Sequence, residues 1–146
     1  MAKVVSVNTS EKKGTSKNPV EEAELKIDHG LIGDAHAGPG LRQVSLLAVE
    51  SYEKLKNSGY KKICLEHGTF GENITTEGVT LYEIPLGTQL KIGEVILEVS
   101  RIGKECFAPC EIKKKAGICV LPLEGIFAVV KKGGRIHSGD TILKLK

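Results

Sequence analysis

Short apolar runs, broken by glycine and charge, recur along this chain, and their period is two more often than three or four. Val4, Val5 and Val7 open the series as a strand, while residues 11–19, with Gly14, Pro19 and several lysines, read as an exposed loop. Around Leu25 and Ile27 the pattern alternates briefly and then becomes glycine-punctuated, which predicts a short strand ending in a loop rich in His and Asp. Residues 43–47 predict another strand. One helical pattern begins near Ala48, where Leu47, Val49, Tyr52 and Leu55 are spaced for one face and Asn57, Ser58 and Gly59 form a stop. From residue 73 onward the signals are almost all β, over 73–76, 88–92, 95–99, 126–130 and 141–145. Gly93-Glu94 fits a two-residue hairpin turn. Many short strands at close spacing predict a mainly β domain, a small closed or nearly closed β-barrel with a few short helices. A parallel α/β sheet would need long helical crossovers.

Length and charge narrow the picture. The chain has 146 residues, the size of one ordinary domain, and the reading is a single domain over residues 1–146. Its net charge is +3, too small for the electrostatic footprint of a dedicated nucleic-acid binder. No apolar stretch reaches a signal-peptide core or the roughly 20 residues of a membrane span, so the expectation is a cytoplasmic protein with no membrane partner. In that compartment Cys64, Cys106, Cys110 and Cys119 are expected as reduced thiols rather than as two disulfides.

The densest chemistry lies in residues 103–117. Pro109 suits a first helical position, Glu111 the first turn, Lys113 to Lys115 the last turn, and Gly117 a stop. Cys110 then falls in the first turn, where the helix N-terminus and the nearby Lys104 and Arg101 favour its thiolate. The competing reading is a small buried hydrophobe. Cys106 is the rival thiol, and a Cys106–Cys110 disulfide is a further alternative. Cys64 and Cys119 lie in apolar runs that imply packing. A zinc site composed from Cys106, Cys110, Cys119 and one of His29, His36, His67 or His137 is a third reading, though no ligand pair has a zinc-knuckle spacing. Residues 28–38 place Asp28, His29, Asp34 and His36 on a glycine-rich loop, with Arg42 close behind. They form either a small anion site or a set of turn caps and solvated imidazoles. Glu72-Asn73 is either a polar turn or a pair that orients a ligand.

Taken together, residues 32–38 with Arg42 to Ser45, the block from His67 to Ile74, and the segment from Gly103 to Cys110 resemble the MOSC family. These domains are named for the C-terminal part of molybdenum-cofactor sulfurases. Residues 122–128, Gly133-Gly134 and Gly139-Asp140 extend the resemblance to the short stand-alone bacterial members. It implies a β-rich, barrel-like fold that binds the pterin molybdenum cofactor, molybdopterin, with one cysteine as molybdenum ligand or sulfur carrier. The family's Pro-Cys matches Pro109-Cys110, which makes Cys110 the implied metal ligand and catalytic thiol and Cys106 the second choice. Thiolate is the ligand class that suits a sulfur-rich molybdenum centre. The implied cofactor-binding residues are Asp34, His36, Arg42, Glu72, Asn73, Lys104 and Arg135, with the cations facing the cofactor's phosphate. The expected site is one cleft between residues 28–43, 67–74 and 103–119. A pyridoxal-phosphate site is not expected, because in the family that cofactor belongs to a separate desulfurase domain. The implied activities are cofactor sulfuration and reduction of N-hydroxylated compounds, with cofactor-synthesis or redox proteins as partners. The alternatives are a non-catalytic cofactor-handling or interaction module and the structural zinc domain.

Overall fold

In the computed structural model, described for residues 2–10, 17–34, 37–40, 43–50, 53, 72–102 and 125–145, strands dominate. They are β1 (Lys3–Thr9), β2 (Asn18–Val20), β3 (Glu22–Lys26), β4 (Gly30–Leu31), β5 (Val44–Ala48), β6 (Ile74–Glu77), β7 (Gln89–Ile92), β8 (Val95–Ile102), β9 (Ile126–Lys132), β10 (Gly134–His137) and β11 (Ile142–Leu145). A 3-10 turn covers Leu81–Glu83, and Val49, Glu50 and Glu53 are helical at the start of the segment where the sequence predicts a helix. The rest of that segment lies outside the described residues.

Alternation explains most of these elements. In β8, Val95, Leu97 and Val99 face inward between less buried neighbours, and in β3 Ala23 and Leu25 do the same between exposed charges. β5 is buried at all five positions, because it lies centrally between β9 and β6. Leu46 and Leu47 there each contribute about 1.5–3 kcal/mol by leaving water. In β1 the register against β6 shifts between Val4 and Ser6, and this bulge lets Val4 and Val7, three apart, share one core cluster while Val5 stays half-buried. The β7–β8 hairpin turns at Gly93-Glu94 with Ile92 opposite Val95. Gly93 has φ +59 and Glu94 a negative φ, the pattern of a type II′ turn.

The strands form two sheets. The larger runs β11-β7-β8-β9-β5-β6-β1-β2, antiparallel throughout except for the parallel pair β5–β6. A parallel pair needs a crossover, and residues 49–73 supply it. The smaller sheet runs β10-β3-β4. Between β9 and β10 the chain changes sheets at Gly133, where a Cβ would stand 2.7 Å from the Leu25 carbonyl oxygen.

Neither sheet is closed, so among the described residues the closed form of the expected barrel is not seen. The start of β1 does reach the chain ahead of β11, through a Lys3–Thr141 bridge and the bonds Val4 N–H to Asp140 O, 2.8 Å, and Ile142 N–H to Ala2 O, 2.9 Å. That contact does not grow into a ladder. The chain after β9 pairs with β3 instead of continuing the large sheet, and the edge strand β2 is only three residues long and contains Pro19. Residues 17–20 also correct the expectation of an exposed loop over 11–19, because Lys17 is buried and Asn18–Val20 pairs with β1. Among the described residues no helix is long and apolar enough to cross a membrane.

Candidate functional site

Polar residues are buried together where β1 ends and β5 and β6 begin. Asp34 arrives on the loop after β4, whose path is held by Ile32 N–H to Glu24 O at 3.0 Å and Asp34 N–H to Leu31 O at 3.2 Å. Its Oδ1 accepts from Lys17 Nζ at 2.8 Å and from the Ser10 backbone N–H at 3.0 Å, and Lys17 Nζ also donates to Ser10 Oγ at 3.0 Å. Both side chains of this ion pair are fully enclosed. Burial pushes the Asp34 carboxyl up. Hydrogen bonds from Lys17 and Asn73, the charge of Lys17 and the Ser10 N–H outweigh it and hold the pKa below the usual carboxylate value.

Asn73 joins four parts of the fold. Its Oδ1 accepts from Ser45 N–H at 3.0 Å and Ser45 Oγ at 3.1 Å, while its Nδ2 donates to Asn8 O at 3.3 Å and its side chain reaches Asp34. Its backbone N–H returns a bond to Ser45 Oγ at 3.0 Å. Glu72 lies beside it, fully buried, with Oε2 accepting from Thr75 Oγ1 at 2.8 Å. Asn8 Nδ2 donates to Glu72 O at 3.2 Å and to Thr75 Oγ1 at 3.1 Å, and Asn8 Oδ1 accepts from Ser6 Oγ at 2.7 Å. Buried polar groups are stable only when satisfied in this way. A second clamp lies at Gln43, whose Oε1 accepts from Val130 N–H at 3.0 Å and whose Nε2 donates to Gly40 O at 3.1 Å and Asp28 Oδ1 at 3.3 Å. It ties both sides of the 28–43 loop to β9.

The knot gathers the ends of several polar segments, since Ser10 and Lys17 flank residues 11–16, Asp34 begins the stretch through His36, and Glu72 ends the crossover. Two of the three segments expected around one cleft therefore meet directly, through Asn73 and Asp34. The third lies between Ile102 and Ile126, which pair with each other and with the Leu46–Ile74 row. Arg101, Phe127 and Ser45 form the next row, and Ser45 is the residue that Asn73 binds. The thiol-bearing segment is thus anchored one residue row from the knot.

Of the candidate residues, Asp34, Glu72 and Asn73 are brought together. Arg135 is not with them in the knot. It stands on β10, mostly exposed, 3.2 Å from Glu22 and 4.0 Å from Glu24, with His137 sharing Glu22 at 2.8 Å. His36, Arg42, Lys104, Cys106 and Cys110 lie outside the described residues, as do Cys64 and Cys119. The described residues contain no group of three His, Cys, Asp or Glu placed to hold a metal. Sequence reasoning missed Lys17, Ser10 and Asn8. Only the hydrogen-bonding type of Asn8 and Ser10, at the end of an apolar strand, hinted at them.

A family model for the MOSC domain matches residues 33–143, from the loop before Asp34 to the last strand. The chain belongs to the MOSC domain family. Solved structures repeat the MOSC chain's fold at low identity. The YuaD protein of Bacillus subtilis is 18% identical with a TM-score of 0.79, over 97% of this chain and 93% of that one. YiiM from Geobacillus stearothermophilus is 20% identical at 0.74, over 100% and 76%. YiiM from Escherichia coli is 19% identical at 0.71, over 99% and 70%. No curated protein matches the sequence. As a MOSC domain the chain falls in a family associated with molybdenum-cofactor binding and sulfurase-like roles.

Proposed function

We propose that this MOSC chain binds molybdopterin-type cofactor, with Cys110 as molybdenum ligand or sulfur carrier and Cys106 as the second choice. What carries the reading is a convergence. The loop through Asp34 and the Glu72-Asn73 pair enter one buried knot, and the thiol segment is anchored one row away on the same sheet.

The donor chemistry fits such a group in a divided way. The knot is enclosed, and in this reading Asp34, Glu72 and Asn73 act by fixing the loops rather than by touching the ligand. Contact falls to residues on the segments they fix. Cys110 would offer the soft ligand, and Arg42, Lys104 and His36 would face the phosphate and pterin edges. Arg135 is left out of this set, since Glu22 and Glu24 already occupy its guanidinium. Bound cofactor would supply two-electron redox or sulfur-transfer chemistry, and this chain's part is to hold a thiolate and exclude competing ligands. A cytoplasmic setting keeps that thiol reduced, and the partners in this reading are cofactor-synthesis or redox proteins.

The test is elemental and pterin analysis of protein produced in a host that makes the cofactor. Molybdenum and pterin in stoichiometric amounts, lost in Cys110→Ser and kept in Cys106→Ser, support the assignment. Zinc in their place, lost on removing Cys106, Cys110 or Cys119, overturns it in favour of a structural zinc domain. Absence of both leaves a non-catalytic interaction module.

A further inference from the structure

We infer that the buried Lys17–Asp34 pair is a latch that fixes the 28–43 loop against the ends of β1 and β6, which makes Lys17 a positioning residue for the face this loop presents. That the face receives molybdopterin rests on the function proposed above. The latch itself does not.

β4 pairs with β3 and buries Leu31 in the core, but the described loop residues beyond it have little apolar packing. Gly33, Gly38 and Gly40 all adopt positive φ and have nothing within 4 Å of where a Cβ would stand, and Ile32 is about half exposed. Apolar packing, the usual anchor of a loop, is thus absent from these positions. What remains is polar. Gly38 N–H bonds His29 O at 2.6 Å and Ala37 N–H bonds Asp34 O at 3.2 Å, Gln43 clamps Asp28 and Gly40, and Asp34 plugs into Lys17 and Ser10. The Asp34 plug is the contact that carries full charge and is shielded from solvent on both sides.

Stability alone does not account for such a pair. A buried ion pair repays its desolvation poorly, and a neutral replacement of similar shape often matches it. What the charged pair adds is geometry: a short, charge-assisted bond has one good arrangement, and losing either partner leaves the other stranded. Lys17 also bonds Ser10, so one ammonium joins the two ends of residues 11–16 to the loop through Asp34.

The experiment compares wild type, Lys17→Met, and Lys17→Met combined with Asp34→Asn, in which no unpaired charge is left and residue 34 still offers an oxygen to Ser10 N–H. Amide hydrogen exchange is read at Ser10, Ala37 and Gly38, with Val99, bonded to Thr88 O at 2.9 Å, as the reference for global opening. In Lys17→Met the loop amides exchange about 10- to 100-fold faster. The double variant recovers the midpoint of thermal unfolding and the Val99 rate but keeps the fast loop amides, and its molybdopterin loading stays below that of wild type. Loop amides that follow Val99 in both variants overturn the latch. Wild-type loading in a double variant with fast loop amides overturns the positioning role. A wild-type protein that takes up no molybdopterin overturns the proposed function instead, while the exchange rates still decide the latch.

Discussion

Gly30→Ala and Gly33→Ala separate backbone strain from steric collision within one loop. Both glycines have positive φ, +112 and +90, so each substitution places an L-residue where it costs about 1–3 kcal/mol, offset by about 0.4–1 kcal/mol of lost unfolded-state freedom. At Gly33 nothing lies within 4 Å of the new methyl, and the account ends there. At Gly30 the methyl runs into the Gln43 carbonyl oxygen and stands 3.1 Å from its carbon. Backbone must then move, and the backbone that moves belongs to Gln43, which holds Val130, Gly40 and Asp28. Losing one buried bond of that clamp adds about 1–3 kcal/mol. Gly30→Ala is therefore expected to destabilise by about 1–5.6 kcal/mol, and Gly33→Ala by no more than about 2.6, the difference being the lost bond at about 1–3 kcal/mol. At about 2–4 °C per kcal/mol for a chain of this size, the first lowers Tm by about 2–22 °C and the second by no more than about 10 °C. Urea unfolding with calorimetry measures both. Equal destabilisation would show that the approach of Gly30 to Gln43 does not constrain the loop.

Asn73→Ala strands the buried Ser45 N–H and the Asn8 carbonyl, and urea unfolding should show at least about 2 kcal/mol lost with an unchanged denaturant slope. Arg135→Ala should change stability by about 0.5 kcal/mol or less, because its carboxylate partners are solvent-exposed, and a larger loss would mean that β10 depends on the pair. Asp34 ionises at lower pH in the folded chain than its ordinary value of 3.8, so the stability it contributes is complete above that value and fades as pH falls below it through the folded pKa. The gap in unfolding free energy between wild type and Asp34→Asn should accordingly hold from neutral pH down toward 3.8 and shrink as pH falls below it, and a constant gap would contradict the carboxylate's role. Among single Cys→Ser variants, only Cys110→Ser should lose the fast phase of alkylation near neutral pH, as its first-turn position predicts for a thiolate.

Much of the fold was legible because alternation is a local signal. β5, β7, β8, β9 and β11 fall within a few residues of their predicted runs, and Gly93-Glu94 makes the hairpin its chemistry implied. What escaped depends on distant partners. β2 is three residues with a proline, too short for any pattern, and exists because β1 lies beside it. β10 shows no apolar run of its own, and Gly133 ahead of it lets the chain pass close to Leu25 and enter the second sheet. Barrel closure cannot be read from strand count, since it turns on where the chain after β9 finds its next partner.

The site shows the same division more sharply. Asp34, Glu72 and Asn73 stood out through the resemblance to the MOSC family, since read locally they are equally turn caps and a polar turn, and the structure does bring them together. Yet Asp34 and Glu72 are enclosed, Asp34 Oδ1 bonded to Lys17 and Ser10 and Glu72 Oε2 to Thr75, while Asn73 spends its amide on Ser45 and Asn8. Sequence identifies the residue types a ligand would need but not which of them the protein itself consumes. Lys17 is the converse case. In a run of lysines before a proline it looks like solvated surface, and its burial follows only from β2 carrying it against β1 to meet Asp34, seventeen positions along the chain. A buried cation held at 2.8 Å commits the Asp34 carboxylate to the protein's own interior, so its part in any site is to fix the loop that carries it.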